Sequence, residues 1–231
     1  MNESTTSPHP EAEAVEAVLN GTATERLRIG AAAMVKLLKD PEDTQQVLIA
    51  GLVANYRRFP EFLARFTATE EGCELMRDRP VIDSSSVDYD ELRALPAGTL
   101  GREYVRYLDE NSLDPDIFQP PPGMADIPAY VSQRMRQVHD LWHVLTGYDT
   151  SVQGEVALQA FTYGNTGMPS SGWIAVVGSA RFVWRHPAIL KLARQGYRRG
   201  RQADFLAPVR WEHHWDAPVN ELRARYSIAD H

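Results

Sequence analysis

The 231-residue chain has a single cysteine, Cys73, so it can neither close an internal disulfide nor build a thiolate cluster. Any metal it binds must be held by nitrogen and oxygen. The lone thiol fits a reducing compartment, and Cys73 is read as a small buried apolar residue. Long apolar runs are also missing. The longest are fragments such as WIAVV at 173–177, far short of the ~20 residues needed to cross a bilayer, so any membrane contact is expected to be peripheral. The opening MNESTTSPHPEAEAVEAV has no basic start followed by an apolar core, and it is acidic where an organelle transit peptide would be Arg-rich. Residues 1–22 are read as a short disordered acidic tail and 23–231 as one domain. Basic charge is not in excess either. With 24 Lys+Arg against 31 Asp+Glu the net charge is −7, which repels a phosphate backbone and sets nucleic acid aside as a partner.

What the chain does have is globular composition, 43% hydrophobic and 24% charged, and enough length to bury a substantial core. Helix-start signals recur, alternating β-branched runs are nearly lacking, and no repeat period is visible. The fold class is therefore all-α, a multi-helix bundle. Thr22 or Thr24 can cap a helix carrying Leu27, Ala31, Met34, Leu37 and Leu38. Asp40-Pro41 can start the next, running through Val47, Leu48, Leu52 and Tyr56 to a break at Pro60. Thr67 with Glu70, and Asp88 with Glu91, have capping-box spacing. Residues 98–113 place Leu100, Tyr104, Tyr107 and Leu108 on one helical face, and Pro120 to Pro122 favour an extended strap. Helices are expected at about 127–146, from Thr150 or Ser151 onward, and at about 170–184, 187–201, 208–215 and 217–226.

The strongest local signal is HDLWHVLTGYDTSVQGE, 139–155. His139 and His143 are four apart, so on a helix both imidazoles leave one face at a spacing that can share an ion. Gly147 reads as the helix stop, and Asp149, Thr150 or Ser151 as the next N-cap after a very short connection, which makes antiparallel neighbours. Glu155 then stands in the first turns of the second helix, at about the height of His143. Asp140, rotated ~100° from His139, can be a fourth ligand or can orient a histidine from behind. Gln159 is a candidate hydrogen-bond partner of Glu155. Set against this is the plainer reading, satisfied polar residues on a half-buried face.

Other His-rich motifs fit less well. A zincin helix carries HExxH with Glu as general base, whereas here the shorter Asp follows the first histidine. A nucleotide phosphohydrolase built on a His-Asp pair needs a histidine well upstream, and His9 is the only one. Two histidines and a carboxylate also resemble the facial triad of non-haem Fe(II) oxygenases, so zinc and iron(II) both stay open.

These residues resemble the coenzyme Q (ubiquinone) biosynthesis protein 4 family, whose hallmark HDxxH, eleven residues, then Glu stands here as His139, Asp140, His143 and Glu155. The likeness extends to REYVRYLDENSLDPDIF at 102–118, QRMRQVHDLWHVLTG at 133–147, TSVQGEVALQAF at 150–161 and NELRARYSI at 220–228. It covers about 98–228 well and 25–97 loosely. The resemblance implies an all-helical, peripherally membrane-associated protein with zinc on those four residues. It also implies a role in removing the carboxyl group at ring carbon 1 of a polyprenylated benzoate, or in organising other quinone-biosynthesis proteins as a lipid-binding scaffold with a structural metal. Mitochondrial members carry a transit peptide, so this chain looks like a bacterial one, cytoplasmic and placed on the inner face of the plasma membrane. A second copy of the chain is a further candidate partner.

Between Arg181 and Arg201 there are seven Lys or Arg and no Asp or Glu. The segment 181–201 could lie on an anionic bilayer with Ile189, Leu190, Leu192 and Tyr197 near the interface, or be a solvated face. His213-His214 could form a second metal site, though adjacent histidines point ~100° apart on a helix and packing is the simpler role. Trp142, Tyr163, Trp173 and Trp184 could line a channel for a prenyl tail, or be plain core.

Overall fold

The computed structural model describes residues 10–39, 44–117 and 126–229. Its helices, in chain order, are α1 (Pro10–Asn20), α2 (Ala23–Lys39), α3 (Thr44–Asn55), α4 (Phe59–Phe66), α5 (Glu70–Asp78), α6 (Tyr89–Ala94), α7 (Leu100–Asn111), α8 (Asp126–Thr146), α9 (Val152–Thr166), α10 (Pro169–Phe182), α11 (Ile189–Gln202) and α12 (Val219–Arg225). Short 3₁₀ turns lie at Pro115–Ile117 and Trp211–His214. Among the described residues there is no strand, only an isolated bridge between Thr99 and Pro218. The protein is an all-α domain. The positions expected for an Asp40-Pro41 helix start and for the Pro120–Pro122 strap lie outside the described residues, as do the side chains of Met34, Leu37, Leu38, Val47 and Leu48.

Local chemistry accounts for several helix starts. Thr22 and Glu25 form a reciprocal box, Glu25 N donating to Thr22 Oγ1 and Thr22 N donating to the Glu25 carboxylate. Asp88 accepts from the backbone N–H groups of Asp90 and Glu91. At α5 the cap is Thr69, accepting from Gly72 N, two residues later than the Thr67–Glu70 box predicts. Pro60 does not break a helix. It sits in the first turn of α4, where a missing N–H costs nothing.

Much of the stretch 1–22, expected to lack structure, is ordered as a helix where it is described. Pro10–Asn20 is helical, with Val15 and Val18 buried, and it packs on α2 and α3. An Ala- and Glu-rich run favours helix, and its few apolar side chains suffice once a neighbour covers them. Among the described side chains of α2 Ala33 is buried while Leu27 is 72% exposed, so the expected stripe does not all face inward.

The main core joins α7, α8, α9, α12 and the 206–211 segment through Tyr104, Leu108, Leu141, Trp142, Phe161 and Trp211. A smaller cluster of Phe62, Phe66, Leu75, Tyr130, Val131 and Ala207 seats α4 and α5 on the start of α8. α9 runs against α11 and α10, α10 touches α3, and α7 and α12 flank α8. Asn55 and Ser170 lock α3 to α10 by two reciprocal hydrogen bonds of 2.9 Å. The first N–H groups of α7 are satisfied from afar, Leu100 N donating to Ala217 O and Gly101 N to Trp215 O.

Candidate metal centre

The C-terminal end of α8 and the N-terminal end of α9 are joined by a turn that is fixed at several points. Gly147 takes a left-handed φ of 75° and donates to His143 O. Asp149 Oδ1 accepts from Ser151 N and Ser151 Oγ, and Ser151 Oγ accepts from Gly154 N, capping α9. Glu155 follows in the first turn.

His143 is buried, and its Nδ1 lies 2.8 Å from the Tyr148 carbonyl. A carbonyl only accepts, so Nδ1 carries the proton and Nε2 is the atom turned to the site. His143 Nε2 is 3.1 Å from Glu155 Oε1, and His139 Nε2 is 3.5 Å from Glu155 Oε2. The two imidazoles meet edge to face, 4.9 Å between centroids. One ligand atom from each of His139, His143 and Glu155 lies within 4.8 Å of the others. Tetrahedral zinc with bonds of ~2.0–2.1 Å places donor atoms ~3.3 Å apart, and the two His–Glu separations straddle that spacing. These distances also suit a histidine–carboxylate ion pair. The donor set of two nitrogens and an oxygen on one open edge is what fits a divalent ion.

The electrostatics are those of a gap that wants a cation. Burial alone would raise the Glu155 carboxyl, but hydrogen bonds from His139 and His143 outweigh it and hold the pKa down to about 2. Burial opposes charge on His143, yet the Glu155 carboxylate and the Tyr148 carbonyl raise its pKa on balance. Either a proton or a metal can supply the positive charge between them. Glu155 keeps 40% of its side chain exposed, leaving one side of the cluster open to solvent.

Asp140 lies outside this three-residue cluster. It is largely removed from water, which pushes its carboxyl up, against the attraction of His139 and His143. Gln159 is not hydrogen-bonded to Glu155. The sequence reading missed Tyr107 as a site residue. Its ring stacks on His143 at 5.2 Å and 21°, and burial raises its hydroxyl. Helical spacing put Tyr107 on an apolar face, and only the packing of α7 on α8 brings it to the imidazole. A cleft of about 600 Å³, with Glu103, Arg106, Tyr107, Asn111 and Arg223 in its wall, reaches His143 beside the turn, but its walls include neither His139 nor Glu155.

The remaining candidates fall elsewhere. His214 Nε2 is hydrogen-bonded to the Tyr226 hydroxyl at 3.1 Å and packs edge-on to Trp211, a packing role. Cys73 is exposed rather than buried, because its helix turns that side to solvent. Trp142 is core, but Trp173 and Trp184 are 58% and 91% exposed, so the four aromatics line no common channel. In the 181–201 segment, Ile189 and Arg199 point inward and Leu192 packs on the core, leaving Leu190 and Tyr197 outside. The backbones of α8 and α9 approach each other at few points, so the hairpin is splayed.

The family profile described as coenzyme Q (ubiquinone) biosynthesis protein Coq4 matches residues 16–231. The chain is 31% identical over 211 residues to the mitochondrial ubiquinone biosynthesis protein COQ4 homolog of Mus musculus, covering 90% of this chain and 79% of that one. It is 32% identical over 205 residues to the Homo sapiens homolog, covering 87% and 77%. A crystal structure from Nostoc punctiforme, of a protein described as a ubiquinone biosynthesis protein, superposes with a TM-score of 0.72 at 26% identity, covering 88% of this chain and 99% of that one. Matching over nearly its whole length in sequence and in fold, the chain belongs to the coenzyme Q (ubiquinone) biosynthesis protein Coq4 family.

Proposed function

We propose that the protein is a metal-dependent enzyme of ubiquinone biosynthesis that removes the ring carbon 1 carboxyl group of a polyprenylated hydroxybenzoate, with zinc or iron(II) held by His139, His143 and Glu155 and with Asp140 beside them. The observation that carries the reading is the convergence of two imidazoles and a carboxylate on one open edge. Structural zinc is usually closed by four Cys or His, whereas a His/carboxylate set more often keeps a position for substrate.

When bound, a divalent ion there supplies positive charge that can hold a carboxylate or phenolate and stabilise charge developing on the ring. The chain's own residues do the positioning. Tyr148 fixes the His143 tautomer through its carbonyl, Tyr107 covers one face of that imidazole, and Glu155 spans both histidines. In the simple reaction the bond from ring carbon 1 to the carboxyl carbon breaks, carbon dioxide leaves, and a proton takes up the electron pair left on the ring. Replacing the carboxyl by a hydroxyl would require dioxygen together with another redox agent or iron in this site, because zinc does not change oxidation state.

The rival reading is a lipid-binding scaffold with a structural metal, and one observation favours a surface role. Trp173, Val176, Val177 and Trp184 form an exposed stripe along α10 and just beyond it, beside exposed Arg181, Arg185, Leu190 and Lys191. No acidic residue occurs from Val156 to Ala203. We assign this face, rather than α11 alone, to an anionic bilayer, the inner face of a bacterial plasma membrane. Among the described residues no helix is long and apolar enough to cross one. Other quinone-biosynthesis proteins and a second copy of the chain are the remaining partners in this reading. The experiment that separates the two functions is the quinone intermediate in a deletion strain. The enzyme reading expects a polyprenyl benzoate that keeps its carboxyl group, and accumulation of a later, decarboxylated intermediate would overturn it.

A further inference from the structure

The backbones of the two helices that carry the candidate ligands approach at few points and meet through side chains such as Trp142 and Phe161, so a third element can help set the distance from Glu155 to the histidines. α9 lies along α11 instead. The approach is backbone to backbone: a Cβ at Gly196 would stand 2.2 Å from Ala157 O, one at Gly200 would stand 2.0 Å from Phe161 O, and one at Gly164 would stand 2.4 Å from Tyr197 O. Only glycine fits such contacts. Ala157 is two residues from Glu155.

The same helix reaches the other ligand-bearing element through Arg199, which lies between the two α11 glycines. Arg199 is only 7% exposed on a helix whose other cations face solvent. Its Nη2 donates to the carbonyl of Thr146, the last residue of α8, at 2.9 Å. Its Nε and Nη2 also donate to Ala229 O at 2.9 and 2.6 Å. The guanidinium lies 4.8 Å from the centre of the Tyr148 ring, and Tyr148 O is the acceptor that fixes His143 Nδ1. Arg223 of α12 adds hydrogen bonds to Leu145 O and Val144 O. The orphan carbonyls at the end of α8 thus meet two guanidinium groups, the favourable sign for a helix C-terminus.

We propose that Arg199 is a positioning residue for the metal centre, with α11 as the clamp that holds the Glu155 helix by its glycines and the His143 turn by this one side chain. The proposal rests on the reading of His139, His143 and Glu155 as metal ligands. Residues that orient ligands from behind typically change metal affinity ~10–100-fold.

The test titrates cobalt(II) into the full chain, reading affinity and the visible ligand-field spectrum, with circular dichroism to confirm folding. Arg199→Gln is expected to weaken binding ~10–100-fold and shift the spectrum. Arg199→Lys, which can still donate to Thr146 O without the fork, should recover part of it. Gln195→Ala, exposed on the same helix, should change neither. A folded Arg199→Gln protein with wild-type affinity and spectrum overturns the proposal, as does an equal loss in Gln195→Ala. If both Arg199 variants fail to fold, hydrogen exchange on the unaltered protein decides: zinc should slow exchange at 196–200 and 147–148 together, and protection confined to 139–155 would overturn the clamp. Wild-type protein that binds no cobalt removes the metal reading itself, a failure distinct from intact binding in the variant.

Discussion

His143 Nε2 and Glu155 Oε1 stand 3.1 Å apart although they belong to different helices, and the same carboxylate reaches His139 through its other oxygen. Such preassembly predicts that carefully purified protein carries about one equivalent of zinc or iron. Elemental analysis should show His143→Ala losing it. Zinc added at ~100 times its Kd should stabilise the wild type by ~2.7 kcal/mol and the variant far less. Equal thermal shifts in both proteins would count against the site.

Loss of one ligand should abolish function without abolishing the fold. His139→Ala, His143→Ala and Glu155→Ala should each fail to restore quinone synthesis in a deletion strain, because each alters the charge presented to substrate. Asp140→Asn separates its two roles. A direct ligand would be nearly as intolerant as the histidines, whereas a residue acting from behind would leave activity ~10–100-fold reduced. Full rescue by a folded, metal-free variant would move the assignment to the scaffold.

The α10 face predicts salt-sensitive binding to anionic vesicles, since exposed charges are screened over ~8–10 Å at moderate salt. Replacing Arg181, Arg185 and Lys191 with Gln should remove the salt-sensitive part. Replacing Trp173 and Trp184 with Ser should weaken what remains at high salt. Cosedimentation unchanged by both sets would show the stripe to be an ordinary surface.

Away from the site, Arg134 is fully buried and grips Glu212 through two hydrogen bonds of 2.6 and 2.7 Å, tying α8 to the 211–214 turn. Breaking such a pair leaves a charge without its counter-ion. Glu212→Ala should therefore cost ~3–5 kcal/mol in urea unfolding, while a paired change to apolar residues of similar volume should recover much of that loss.

The candidate ligand triad, the caps at Thr22, Asp88 and Ser151, and the stop at Gly147 are legible in the sequence because each is a relation among residues three or four apart or, for Glu155, twelve and sixteen residues from the histidines across one short turn, which helix geometry and that turn convert directly into space. The all-α class follows from the same local signals. What the sequence does not contain is which side of a helix its neighbours cover. WIAVV in α10 is apolar nearly all the way round, so periodicity could not show that Trp173 and Val176 face out while Ala175 is buried. Arg199 reads as one more cation in a basic run, and only the docking of α11 on α9, through glycines that admit backbone contact, turns it inward onto the end of α8. The sequence by itself determined the donor atoms and their local spacing. Tertiary packing decided what holds them at that spacing, because the approach of two helices depends on side chains distant in the chain.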